Sequence, residues 1–335
     1  MVLLIGDEVH GLGAEKQSIS LFPSAVYRIG LSATPKRWYD EQGTERLNEY
    51  FKKTVMEYDL EDAINDKALT PYEYEPILIE LNETEILNFE ELSKKISALM
   101  CKKHKTKEDK EAIERYCIRR SRLLGKAESK IPELIKLVKG HKEATENNGE
   151  KYLHNLFYCA PGEHKQVLDA LSNAGIKVHE FVAHVKPEVR KQVLDSFAKG
   201  EIEGIVAIKC LDEGVDVPAT KRAYILASST NPREFVQRRG RVLRQSKKTG
   251  KVKAYIYDFL IGPWSINNYS NQTAQALLRR ELPRFSEFNS LNSNKYEIQE
   301  KIKYICSYFN LLNEIDMKPW DVYDTIMKNN ALDVI

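Results

Sequence analysis

Between residues 152 and 259 short apolar runs alternate with amphipathic helical segments, and this rhythm limits the fold more than any other feature of the chain. The pattern predicts strands over 152–159, 178–182, 205–208, 223–227 and 254–259. Helices are expected over 163–172, 187–198 and from 232 to about 243. Runs without polar alternation read as strands covered on both faces, as in a parallel sheet. Gly175 and Gly200 stop the first two helices, and Pro187 sits in the first turn of the second. Strand and helix in strict alternation imply an α/β fold with a doubly wound parallel sheet. Ligands of such sheets bind at the carboxyl ends of the strands.

Outside this block the chain is less regular. Val2–Ile5 and Ala25–Leu31 read as two further strands buried on both faces, with shorter strands over 55–58 and 76–81. A short helix is expected from Asp59 or Leu60 to about Lys67. Residues 85 to about 142 have a long, charged helical pattern, and Asn147-Asn148-Gly149 reads as a linker. Residues 264–335 read as mostly helical.

At 335 residues the length prior is about two domains, and an apolar fraction of 42% supports folded cores. The net charge is only +2, but its distribution is uneven. Residues 1–93 hold 19 Asp/Glu against 8 Lys/Arg, and residues 94–142 hold 16 Lys/Arg against 6 Asp/Glu. The run 237–253 has eight Lys/Arg and no acid. Such asymmetry points to a polyanion on particular surfaces, although a solvated charged helix explains 94–142 equally well. Five widely spaced cysteines, none in a CxxC pair, fit a reducing, cytoplasmic setting. Cys101-x-x-His104 is at most half a zinc site. No apolar run approaches 18 residues, and no signal peptide is visible.

Four stretches carry chemistry. The first apolar strand ends in Asp7-Glu8-Val9-His10. Two carboxylates at a strand's carboxyl end suit a metal–nucleotide site: Asp7 holds Mg²⁺ through water and Glu8 polarises the attacking water. An acidic helix cap is the plain alternative for that stretch alone. Ser32-Ala33-Thr34-Pro35 ends the next strand; its hydroxyls can relay between a nucleotide and a neighbouring surface, or form a simple turn. The strand at 205–208 runs into Leu211-Asp212-Glu213-Gly214-Val215-Asp216. There Gly214 permits close backbone approach and Asp216 can accept from a ribose or a facing Arg. Finally, Gln237, Arg241 and Arg244 fall at i, i+4 and i+7, one face of a helix. Two guanidiniums on one stripe match a triphosphate and can stabilise charge developing on its γ-phosphate.

In this order the four stretches resemble the motifs of helicase superfamily 2. Asp7-Glu8-Val9-His10 looks like motif II in its DEVH form, and Ser32-Ala33-Thr34 like motif III. The 208–218 loop looks like motif V, and Gln237-x-x-Gly240-Arg241-x-x-Arg244 like motif VI. The likeness spans residues 2–260. It is strongest to XPB-type repair helicases and to the translocating subunit of type I and type III restriction enzymes, both of which act on double-stranded DNA. The resemblance implies ATP and Mg²⁺ as cofactors, with Asp7 on the metal and Glu8 on the water. His10 would couple to Gln237 across an interdomain cleft, and Arg241 and Arg244 would be the fingers. Ser32, Thr34, Gly214 and Asp216 would border the nucleotide. His184 and Arg190 would touch the nucleic-acid backbone, though each also reads as an ordinary loop or surface residue.

The phosphate loop of that family, G-x-x-x-x-G-K-[ST], is missing from the 335 residues. The expectation is therefore a carboxyl-terminal fragment that binds ATP weakly and does not hydrolyse it alone. Residues 1–70 would be a remnant of a first RecA-like domain, and 71–262 a complete second one with a basic helical insertion at about 85–145. A helical tail follows from 263. The rival expectation is a non-catalytic nucleic-acid-binding module of helicase shape. RNA unwinding is a weaker third, and no nuclease signature is visible.

Overall fold

The structure, a computed structural model, describes residues 2–37, 40–182, 185–208, 217–227 and 231–322. Strands β1 (Leu3–Gly6) and β2 (Tyr27–Gly30) pair in parallel as a small two-stranded sheet. Helices α1 (Glu41–Phe51) and α2 (Leu60–Asn65) follow. Strand β3 (Tyr72–Ile79) opens the main sheet. Three helices come next: α3 (Glu83–Met100), α4 (Lys107–Gly125) and α5 (Lys130–Asn147). Then β4 (Asn155–Tyr158), α6 (His164–Asn173), β5 (Val178–Phe181), α7 (Pro187–Lys199) and β6 (Gly204–Ala207) alternate. The series ends with β7 (Arg222–Ile225), α8 (Pro232–Val242) and β8 (Ala254–Ile261), before α9 (Asn271–Asn289) and α10 (Lys295–Tyr308).

The main sheet has six strands in the order β3-β8-β7-β4-β6-β5, every pair parallel. This is the RecA-like α/β arrangement expected from the alternation. All four residues of β4 and of β6 are buried, which is why neither shows polar alternation in sequence. One face is covered by α3, α5 and α6, through Phe89, Leu134, Val138, Val167 and Leu171. The other is covered by α7, α8, α9 and α10, through Phe197, Phe235, Leu278, Phe285 and Ile302. The helix stop at Gly200 is a left-handed residue with φ 75°, a conformation that favours glycine.

Under α9 lies a buried ion network. Arg284 Nε donates to Asp258 Oδ2 at 2.9 Å, and its Nη2 donates to Glu281 Oε2 at 2.6 Å. The Tyr74 hydroxyl donates to the same Asp258 oxygen at 3.2 Å. Burial pushes the Asp258 carboxyl up, with Arg284 opposing the shift.

Three expectations are corrected. The strands at 3–6 and 27–30 form, but they are not covered on both faces: Leu3 is 53% and Ile5 64% exposed. Their sheet has only two strands, and although α1 packs beside it with its Phe51 ring near Gly30, much of its apolar surface stays open. Residues 55–58 make no strand; Val55 is exposed and has no ladder partner among the described residues. The long helical pattern is three helices, broken where Asn82 with Glu85 and Thr106 with Asp109 form capping boxes. Of these, α5 buries Leu134 and Val138 completely and forms part of the sheet's covering layer.

Candidate functional site

The carboxyl ends of β1 and β2 carry the acidic and hydroxyl motifs side by side. Gly6 and Gly30 are register partners there. A Cβ on Gly6 would lie 2.7 Å from Val9 Cγ1, and one on Gly30 3.1 Å from it. The paired glycines let the turn at 9–13 fold down over the strand ends, which places His10. Glu8 takes a left-handed conformation, φ 48° and ψ 47°. For a residue with a Cβ this costs about 1–2 kcal/mol, strain of the kind found at functional turns.

Asp7 and Glu8 are exposed, while His10 is buried. His10 Nδ1 lies 3.2 Å from Glu8 Oε2 and 3.1 Å from the Ser32 hydroxyl. Burial first, then the neighbouring Arg233 and Arg37 guanidiniums, push the His10 imidazole down to about 4. At neutral pH it is therefore uncharged, and with its proton on Nδ1 it donates to Glu8. Ser32 Oγ also accepts from the Thr34 backbone N–H at 3.2 Å.

Gln237 reaches this group from the main domain: its Nε2 donates to Glu8 Oε1 at 3.2 Å. The two carboxylate oxygens of Glu8 are thus held from two sides, one by His10 beside it and the other by α8. The structure gathers Glu8, His10, Ser32 and Gln237, with Asp7 next in the chain; the implied coupling was of His10 to Gln237, and the contact found is of Gln237 to Glu8, with His10 on the other carboxylate oxygen. Arg241 is half-buried on α8. Arg244 is not on that helix, because α8 ends at Val242 and Arg244 forms an antiparallel bridge with Leu69. The Leu243 carbonyl accepts from both the N–H and the hydroxyl of Thr70, which fixes the chain's departure from the helix. The i, i+4 relation therefore holds for Gln237 and Arg241 only. Arg190 on α7 lies over the Phe181 ring, 5.9 Å from its centroid. His184, Gly214 and Asp216 lie outside the described residues.

The basic run 237–253 divides by role. Arg238 is buried over the Tyr158 ring and donates to the Ala227 carbonyl at 3.2 Å. Arg239 is buried against Glu287 and the Phe288 ring. Lys253 pairs with Glu73 at 2.6 Å. Lys251 was not marked by the sequence. Its buried ammonium donates to the carbonyls of Val242, Pro218 and Thr220 at 2.8, 3.1 and 3.1 Å. One cation thus ties the end of α8 to the segment that follows the 208–216 loop. A lysine in a polar run gives no sign of this, since its burial depends on the 218–220 segment some thirty residues earlier as well as on the end of α8.

Among the described residues no group of three or more His, Cys, Asp or Glu gathers as a metal site. No described helix is long and apolar enough to cross a membrane.

The six-stranded parallel sheet is a RecA-like α/β arrangement, and its helix α8 meets the acidic turn that ends the small two-stranded sheet. Residues 129–246 match the helicase conserved C-terminal domain family. The chain is 28% identical over 264 residues to the DNA 3'-5' translocase XPB2 of Sulfurisphaera tokodaii, covering 73% of this chain and 56% of that protein. It spans about half the length of the curated relatives it matches. Its fold is like that of a fragment of a putative HsdR subunit of a type I restriction enzyme from Vibrio vulnificus. The TM-score there is 0.50 at 19% identity, over 77% of this chain and 43% of that one. It is also like the type ISP restriction-modification enzyme LlaBIII bound to DNA, with a TM-score of 0.52 at 16% identity, over 95% of this chain and 23% of that one. These matches agree with the resemblance to helicase superfamily 2 that the motif order implied.

Proposed function

We propose that the chain is the carboxyl-terminal motor portion of an ATP-dependent DNA translocase. The observation that carries this reading is the 3.2 Å contact of Gln237 with Glu8, which joins the acidic turn to the basic helix.

The residues present fit one side of a magnesium nucleotide. An exposed Asp7 offers one oxygen ligand, Glu8 a base, and Arg241 a charge for the γ-phosphate. The lysine and hydroxyl that cradle the β- and γ-phosphates are not among the 335 residues, so these residues alone should hold ATP weakly and not hydrolyse it. The chemistry supplied by bound Mg-ATP is phosphoryl transfer to water. In that setting Glu8 orients the water with one oxygen while His10 and Gln237 hold its carboxylate in place. Neutral His10 supports this without competing as a cation. Because Gln237 is on the main domain, Glu8 is fully positioned only when the two lobes meet.

The test is ATP hydrolysis by the chain joined, in one polypeptide, to an amino-terminal segment bearing a phosphate loop, with and without duplex DNA. Glu8→Gln is expected to lower kcat by about 10²–10⁴-fold, the usual contribution of a general base, with nucleotide affinity little changed. Wild-type turnover in that variant, or no DNA-stimulated turnover in the parent, would leave the non-catalytic module as the better reading.

For the DNA, the α3–α4 hairpin presents exposed Lys103, Lys107 and Lys110 around its tip. Binding of duplex to the chain should weaken with salt by roughly 0.9 log units per log salt for each phosphate contact. Replacing these lysines by Gln should flatten that slope by about 2–3 units if all three make contact. An unchanged slope removes the hairpin from the interface. Competition with duplex RNA in the same assay separates DNA from RNA as the track.

A further inference from the structure

A cleft of about 80 Å³ opens where the small two-stranded lobe meets the main domain. Thr34, Lys36 and Arg37, in the segment after β2, form one wall. Asn231 and Arg233, at the start of α8, form the other, and His10 and Trp320 complete the lining. Three cationic side chains therefore converge on a small open space that admits a tetrahedral oxyanion.

The cations are held in place. Arg37 Nε pairs with Asp40 at 2.6 Å, and its Nη1 donates to the His10 carbonyl. Lys36 Nζ sits 5.3 Å from the centroid of the Trp320 ring. Asp40 is committed to Arg37 and to the Gly43 N–H. Thr34 adds an independent sign. It is only 7% exposed, lines the cleft, and its hydroxyl has no hydrogen-bond partner among the described residues. A buried hydroxyl left without a partner is disfavoured unless something fills the site.

We propose that this cleft binds a single phosphate group directly, without a metal ion, between Thr34, Lys36 and Arg233. The site differs from the acidic one at Asp7 and Glu8, where an anion needs a bridging cation. It joins the two lobes, so an occupant draws them together. The group can come from a nucleic-acid backbone or be free orthophosphate; the chemistry recognised is the same. The inference does not depend on the translocase reading.

The test is calorimetric titration of the 335-residue chain in EDTA, with sodium phosphate in one arm and a ten-nucleotide dT strand in the other. Binding is expected in at least one arm, weakened about tenfold or more by Arg233→Gln, as for loss of one charge-assisted contact. Lys165→Gln, on the exposed face of α6 and outside the cleft lining, should leave it unchanged. If Arg233→Gln weakens only the orthophosphate arm, the source is free phosphate; if it weakens the dT arm, the source is backbone. Thr34→Val separates binding from folding. It should raise the thermal midpoint without ligand, because the orphaned hydroxyl is gone, yet reduce the midpoint gain that phosphate produces. Absence of binding in both arms, or equal affinities in wild type and Arg233→Gln, overturns the proposal.

Discussion

Arg284→Met is expected to destabilise the chain by about 3–5 kcal/mol, the cost of removing one partner of a buried ion pair. Asp258 is fully buried on β8 and depends on Arg284 Nε at 2.9 Å for compensation. Without the guanidinium its carboxylate is left in the buried interior, with the Tyr74 hydroxyl as a donor and Glu281 as a repelling neighbour. Urea unfolding should show a lower midpoint with an unchanged slope. Adding Asp258→Asn to the variant should recover part of the loss, since a neutral amide needs no counter-ion. A single-variant loss under about 1 kcal/mol, of the size seen for surface pairs, would mean that water reaches the network.

The second large effect concerns Arg241. In the polypeptide joined to a phosphate loop, Arg241→Lys should lower kcat by about 10³-fold or more, the range of an arginine finger. Lysine keeps the charge but loses the planar fork that meets two phosphate oxygens at once. Arg239→Lys, two residues earlier, should behave in the opposite way. That side chain is buried against Glu287 and Phe288. Its replacement should lower stability and leave turnover per folded molecule near wild type. If Arg241→Lys turns over ATP normally, Arg241 is not the finger.

The contrast within one helix shows where sequence reading stops. Four arginines between 238 and 244 look alike in a string of letters. Two are buried structural cations, one is half-buried on the helix face shared with Gln237, and one has left the helix to pair with Leu69. Only the neighbours Ala227, Glu287 and Leu69, all remote in sequence, make that division. The same holds for Lys251, whose three carbonyl partners come from the end of α8 and from the 218–220 segment. It holds again for Trp320, near the carboxyl end of the chain, which stands at the lobe boundary beside Lys36.

Local chemistry was enough for the parallel sheet, because a strand covered on both faces has no polar position to hide, as β4 and β6 illustrate. It was also enough for the helix stops, since a left-handed turn such as that at Gly200 is strained for other residues. The acidic pair, the hydroxyl turn and Gln237 were visible as types in order along the chain. Tertiary structure alone decided that β1 and β2 stay exposed, that Gln237 meets Glu8, and that Thr34 faces a cationic cleft. Those outcomes depend on which distant surfaces come within a few ångströms of each other, and a residue's identity does not specify its neighbours.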